Sequence, residues 1–366
     1  MSINQSANKN ASMRHLLELG WTPHFQAQQE HVSNQGFTPA RVVGVRKNSF
    51  RTSDGNREWL ATLAGRVRHD AGGMFPVTGD WVLMTDTVIS RVLVRKNALS
   101  RGASGARNKQ DERSKKEQVI AANLDTIFIV CGLDRDFNLR RIERYLTLVY
   151  NCDLNPVVIL TKADIHQDPE ACVGEVEAVA MGVPVHLVSA SDDTCLAPLE
   201  PYLSPGRTTA MVGSSGVGKS TLVNRLYGEN VQLTRSTSIH MGKGRHTTTT
   251  RDLIVMPQGG MVIDNPGIRE IAFWELDGGI EAAFPEIEKF ALGCRFANCS
   301  HTHEPGCRVI EAVAEGEIPR NRVENYLKMK RELEYLSNRR HKSADRVEKE
   351  RWKEVALQVK AIKKRR

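Results

Sequence analysis

One run of nine residues constrains this 366-residue chain more than any other feature: Gly213-Ser214-Ser215-Gly216-Val217-Gly218-Lys219-Ser220-Thr221. It fits the pattern G-x-x-x-x-G-K-[ST] and stands between an apolar, strand-like stretch, Thr208–Val212, and a helical run, Thr221–Leu226. A strand that enters a helix through a glycine turn belongs to a parallel α/β sheet. The glycines let backbone N–H groups converge on phosphate oxygens, and the helix N-terminus adds its partial positive charge. Lys219 is expected to bridge the β- and γ-phosphates and Ser220 to ligate Mg²⁺.

The base is read elsewhere. Thr161-Lys162-Ala163-Asp164 ends a predicted strand, Pro156–Leu160. A carboxylate there can accept two hydrogen bonds, from guanine N1–H and its exocyclic amine, which adenine does not offer. The aliphatic stem of Lys162 can lie across the base plane. Ser189-Ala190, after strand Val183–Val188, supplies a small residue and an N–H for the guanine carbonyl. Asp264-Asn265-Pro266-Gly267 fits D-x-x-G, with Asp264 expected to hold Mg²⁺ through water and the Gly267 N–H to sense the γ-phosphate. Between these lies Gly244-Arg245-His246-Thr247-Thr248-Thr249-Thr250, a candidate switch run. One of its threonines, taken here as Thr248, reaches Mg²⁺ and the γ-phosphate when triphosphate orders the loop.

The order of these motifs carries information. In a Ras-like G domain the phosphate loop comes first and the base-reading motifs last. Here T-K-A-D and S-A precede the glycine loop, so the same sheet is built by a chain entering at a different strand, a circular permutation. Strands Asp125–Val130, Pro156–Leu160 and Val183–Val188 alternate with helices Leu139–Tyr150 and Pro169–Met181, which fits a parallel sheet covered on both faces.

Upstream, the period changes. Short β-rich runs at Arg41–Val45, Trp59–Leu63, Trp81–Met84 and Val88–Val94 are separated by turn signals. They predict a small barrel, for which an OB-fold and an SH3-like barrel fit equally well. Before it, Met1 to about Gln35 reads as a polar extension with one short helix around Met13 to Leu19. The expected division is therefore an extension over 1–38, a barrel over 39–100, a linker over 101–117, a G domain over 118–276, a helical segment over 277–338 and a basic tail over 339–366.

Charge is unevenly placed. From Arg339 to Arg366 twelve Lys/Arg face four Asp/Glu, which leaves 39 of each sign elsewhere and assigns the whole net charge of +8 to the tail. A second excess, nine basic residues against Asp111 and Glu112, runs from Arg91 to Lys116. Two basic segments on a neutral body imply contact with a polyanion through counterion release. No apolar run approaches the ~20 residues that span a bilayer, and no apolar signal core opens the chain; a cytoplasmic protein without membrane contact is expected.

The seven cysteines fall into two groups. Cys131, Cys152, Cys172 and Cys195 are scattered and read as buried thiols. Cys294, Cys299 and Cys307 are bunched with His301 and His303 within 14 residues. Three thiolates and one imidazole close a tetrahedral zinc site with no open position, so the site reads as structural, with either histidine as the nitrogen ligand.

The permuted order, the G-S-S-G-V-G-K-S-T loop, the G-R-H-T-T-T run and D-N-P-G-I-R-E with Trp274 resemble the ribosome small subunit-dependent GTPase A family over about Ala40 to Leu336. Thr161 stands where G proteins usually carry Asn, and Asn265 where D-T-P-G has Thr. The resemblance implies an N-terminal OB-fold, a circularly permuted GTPase domain and a C-terminal zinc-binding helical domain. It selects His301 as the zinc ligand beside Cys294, Cys299 and Cys307. It also implies His246 as the water-positioning group, since Ile268 occupies the place of the Ras glutamine. The implied function is a ribosome-stimulated GTPase in late small-subunit maturation, turning GTP to GDP, with 16S rRNA as partner, acting as a monomer. A GTP-gated RNA-binding protein with negligible turnover is the alternative.

Overall fold

The apolar runs Thr126–Gly132 (β8), Pro156–Thr161 (β9) and Thr208–Val212 (β11) are buried along their whole length, which only a sheet covered on both faces allows. The computed structural model describes residues 13–32, 36–69, 75–102, 117–189, 194–228, 252–264 and 279–341. The described residues up to Ser100 and from Gln118 to Asp264 form one compact unit, and those from Gly279 to His341 belong to a second.

In the first unit six strands lie in the order β10-β9-β8-β11-β13-β12, where β10 is Val185–Val188, β12 is Asp252–Val255 and β13 is Met261–Asp264. Neighbours pair in parallel except β12 with β13, which is antiparallel. If counting starts at β11 and wraps round, the order becomes 6-5-4-1-3-2 with strand 2 alone reversed. This is the sheet of a G domain, entered at its fourth strand. Helix Leu139–Asn151 is capped by the Asn138 side chain, which accepts from Arg141 N at 3.1 Å, and packs on β8 and β9. On the other face Phe128, Val130, Ile159 and Met211 pack against Val217, Leu222 and Leu226 of the glycine loop and its helix. The core thus grips both ends of the loop.

The barrel is built from β1 (Thr38–Val45), β2 (Phe50–Ser53), β3 (Glu58–Leu63), β4 (Trp81–Thr85) and β5 (Val88–Val92). Its order, β1-β2-β3-β5-β4, closes through β1 with β4, and β3 with β5 is the parallel pair; β6 (Ala98–Gly102) and β7 (Glu117–Ala122) pair as a separate two-stranded sheet. That closure identifies a five-stranded OB-type barrel. Its interior is filled by Ala40, Val42, Phe50, Ala61, Val82, Met84 and Ile89.

Within the extension expected over 1–38, a helix stands at 13–18, where a short one is expected, and a second, Pro23–Glu30, follows it; together they bury Leu16, Leu19, Trp21 and Phe25. The rings of Trp21 and Phe25 lie 4.7 Å and 5.9 Å from that of Trp81 on β4. Arg41, fully buried, donates to the carbonyls of Leu19, Gly79 and Asn123. Burial lowers its guanidinium to about 10, opposed by Asp125 and Asp80, so the group stays charged at neutral pH.

The second unit holds four helices among its described residues: Gly279–Ala283, Pro285–Ala291, Arg308–Ala314 and Arg320–His341. Arg322 fastens the first two to the last. It pairs with Glu286 at 2.6 Å, donates to the Ala283 carbonyl and stacks over Phe284 at 4.1 Å.

Candidate nucleotide site and metal centre

The parallel strands β8, β9, β10, β11 and β13 all end on one edge of the sheet, and the sequence-predicted residues that are described gather there. At the end of β11 the chain must turn beneath its neighbour. A Cβ at Gly213 would lie 2.2 Å from the Val130 carbonyl, and the residue adopts φ +150°, so glycine is required. Ser215 and Gly216 face solvent and Val217 is buried. Gly218, at φ 96°, precedes the helix Lys219–Tyr227. The Lys219 ammonium curls back and donates to the carbonyls of Gly213, at 2.8 Å, and Ser214. Burial depresses its pKa, and the negative charges of Asp264 and Asp136 oppose the shift. A buried cation at a helix N-terminus, held by its own loop's carbonyls, is an anion receptor. Ser220 is half-buried and Thr221 exposed in the helix's first turn.

Thr161 ends β9. Its hydroxyl lies 2.5 Å from the Val217 carbonyl and 3.3 Å from that of Cys131, so the two loops are hydrogen-bonded to each other. Lys162 takes the left-handed conformation, φ 63°, and its ammonium pairs with Asp134 at 2.6 Å. That bond holds the Asp134 carboxyl below the usual range. Ala163 and Asp164 lie in a single 3₁₀ turn, and Asp164 is exposed. The Asp164 carboxylate accepts from the Ser189 hydroxyl at 2.9 Å. Asp264, last in β13, is buried and faces Asp252 across the ladder. Ser220 and Asp264 supply the hard oxygen donors that suit Mg²⁺. Ala190, His246, Thr248 and Gly267 lie outside the described residues.

Four residues at this edge carry no motif in the sequence. Asp134 holds Lys162. Asp136 pairs with Arg141, and Arg141 donates to the Ser214 hydroxyl at 2.8 Å. Arg225, in the helix after the loop, donates to the Ser189 carbonyl at 2.6 Å. Together they tie the glycine loop and the loops that carry Lys162 and Ser189 into one cluster. Cys131 is buried beside them, and burial pushes its thiol up to about 11, so it is a neutral packing group and not a nucleophile.

In the second unit the ligand atoms of Cys294, Cys299, His301 and Cys307 all lie within 4.8 Å of one another. The Sγ atoms of Cys294 and Cys307 are 3.8 Å apart, and His301 Nδ1 is 3.6 Å and 3.4 Å from them. A tetrahedron with Zn–S of about 2.3 Å and Zn–N of about 2.05 Å has edges of about 3.8 Å and 3.6 Å, so the residues fit the ion. The sulfurs are too far apart for a disulfide. His301 is buried with φ 56°, whereas His303 is exposed against Thr302. The other four thiols are unbridged, buried at Cys131 and Cys172 and half-buried at Cys152 and Cys195.

Comparison with known proteins follows the same lines. The profile of the RsgA GTPase family matches residues 92–274, and that of a 50S ribosome-binding GTPase family matches 208–341, from the phosphate-loop strand onward. Two similar relatives carry the name small ribosomal subunit biogenesis GTPase RsgA. The one from Opitutus terrae is 40% identical, over 93% of this chain and 95% of its own. The one from Methanosarcina acetivorans is 45% identical, over 80% and 79%. Among solved structures, YjeQ from Thermotoga maritima is similar with a TM-score of 0.58 and 29% identity, covering 81% of this chain and 98% of that one. YloQ, described as a circularly permuted GTPase, gives 0.57 and 23% over 82% and 96%, a likeness of fold. With a family profile matching half of its length and a relative 40% identical across 93% of it, the chain belongs to the RsgA GTPase family.

Proposed function

We propose that this chain hydrolyses GTP on the small ribosomal subunit and acts in that subunit's maturation; its relatives are named small ribosomal subunit biogenesis GTPases. The observation that carries the reading is the meeting of two loops in reversed chain order: the Thr161 hydroxyl on the Val217 carbonyl at 2.5 Å. It puts the exposed Asp164 carboxylate and the buried Lys219 ammonium on one sheet edge, where one purine triphosphate can engage both.

In this reading Lys219 takes the β- and γ-phosphates and the N–H groups of Gly213 to Thr221 cradle them. Asp164 accepts from guanine N1–H and its amine, Lys162 covers the base, and Ser189 with Ala190 meets the guanine carbonyl. Ser220 and Thr248 hold Mg²⁺, with Asp264 acting through water; when bound, the ion neutralises charge developing on the phosphates. The Gly267 N–H senses the γ-phosphate. Ile268 cannot orient water, so unaided turnover is slow, on the order of 10⁻⁴ to 10⁻² per second. His246 takes that role when the subunit orders the switch run. Cys294, Cys299, His301 and Cys307 hold one structural zinc. The barrel over 39–100 and the segment over 277–338 contact 16S rRNA, and the basic tail over 339–366 adds counterion release. The protein acts as a cytoplasmic monomer; among the described residues no helix is long and apolar enough to cross a membrane.

The test is steady-state hydrolysis of GTP and ATP with and without purified small subunits, using Lys219→Ala as the blank. GTP turnover raised at least about a hundredfold by subunits, and lost in His246→Ala, is expected. Turnover that subunits leave unchanged would favour the GTP-gated binder.

A further inference from the structure

The barrel touches the edge of the G-domain sheet at a narrow seam. β1 pairs with β12 at one register position, Gly44 opposite Asp252. Asp252 opens β12, and in sequence it follows the run Gly244–Thr250 with one residue between them. Arg51, on β2 of the barrel, uses its fork twice. One end donates to Asp252 Oδ1 at 3.4 Å and the other to Glu58 Oε2 at 2.8 Å. Across the next ladder Asp252 faces Asp264, the carboxylate at the nucleotide edge. A line of three residues, Arg51, Asp252 and Asp264, therefore runs from barrel to nucleotide edge. The space around it is tight, since a Cβ at Gly44 would come within 2.4 Å of Asp252 Oδ1. A second contact lies one strand further in, where Arg41 donates to Met261 Sδ at 3.3 Å at the start of β13.

An ion pair with side chains one-fifth exposed contributes little to stability. Its geometry matters more. β12 is a four-residue edge strand, paired along its length with β13 and at a single position with β1. Its lateral position is thus set from the barrel side by one backbone bridge and one side-chain pair. We propose that Arg51 is a positioning residue which, through Asp252, couples the barrel to the nucleotide state of the G domain. The coupling rests on the proposed function: the same contact transmits subunit engagement of the barrel to the nucleotide edge at Asp264. Linkage requires the effect to run both ways, so exchanging diphosphate for triphosphate must alter the barrel.

Hydrogen exchange on the full chain tests this without a ribosome. With guanylyl imidodiphosphate in place of GDP, amides of β1 and β2 in the wild type change their exchange rates about fivefold or more. Asp252→Asn removes the charge, and Gly44→Ala puts a Cβ 2.4 Å from the carboxylate oxygen that Arg51 holds, so that oxygen must shift. Both abolish the difference and leave nucleotide affinity within about threefold, and Arg51→Lys, which keeps the charge but loses the fork, retains part of it. Their double variant is no worse than either single one, because they break one contact. Barrel exchange indifferent to nucleotide in the wild type, or a difference undiminished in both variants, would overturn the proposal. A parallel arm measures turnover: the variants lose about fivefold or more of the subunit stimulation while the unstimulated rate holds. Subunits that fail to stimulate even the wild type would count against the proposed function and leave the exchange result standing.

Discussion

At the end of β9 one hydroxyl joins two loops that the chain makes 56 residues apart. Valine has nearly the shape of threonine and no donor. Thr161→Val therefore leaves the buried Val217 carbonyl without this partner, at a cost of about 1–3 kcal/mol. A urea melt of the nucleotide-free protein should register that loss, and Thr161→Ser, which keeps the hydroxyl, should recover most of it. The motif residues around this bond were readable in advance because glycine, lysine and aspartate at fixed offsets have few other uses. Asp134, Asp136, Arg141 and Arg225 were not. Each is an ordinary charged residue in sequence, and only the closing of the sheet brings Arg141 to Ser214 and Arg225 to Ser189.

Among the elements, the buried strands were legible from their unbroken apolar runs, and β11 has the bounds its sequence predicts. β2 was missed because Phe50–Ser53 is too short to show a period. The second N-terminal helix was missed for a different reason, whereas the first, 13–18, stands where a short helix is expected. Pro23–Glu30 carries three Gln, one His and one Glu, and Phe25 is its one buried residue. Its contribution is a ring packed on Trp81, invisible without the barrel beside it. Phe25→Ala should cost about 3–5 kcal/mol, read as a lower denaturation midpoint. The metal segment behaves oppositely, because cysteine spacing announces it and the fold closes it. Chelation should release one zinc per chain and melt helical signal from the second unit, with GDP affinity retained. Native protein without stoichiometric zinc would contradict this.

For the whole molecule the decisive fact is topological. Motif order alone pointed to a permuted sheet, since T-K-A-D precedes the glycine loop, and the strand order bears that out with β8 between β9 and β11. The choice between barrel types needed the ladder: spacing could not separate them, whereas closure of β1 on β4 and the parallel β3–β5 pair do. What the sheet edge offers is one exposed carboxylate and one buried ammonium, contributed by segments on either side of the permutation. The most direct measurement is competition for a fluorescent GDP by GDP, ADP and XDP, on the wild type and on Asp164→Asn. The account predicts strong preference for GDP over ADP in the wild type. In Asp164→Asn it predicts a loss of GDP affinity of about 10- to 100-fold and a gain for XDP, whose carbonyl accepts from the new amide. Equal displacement by ADP and GDP, or GDP affinity untouched by the substitution, would contradict it.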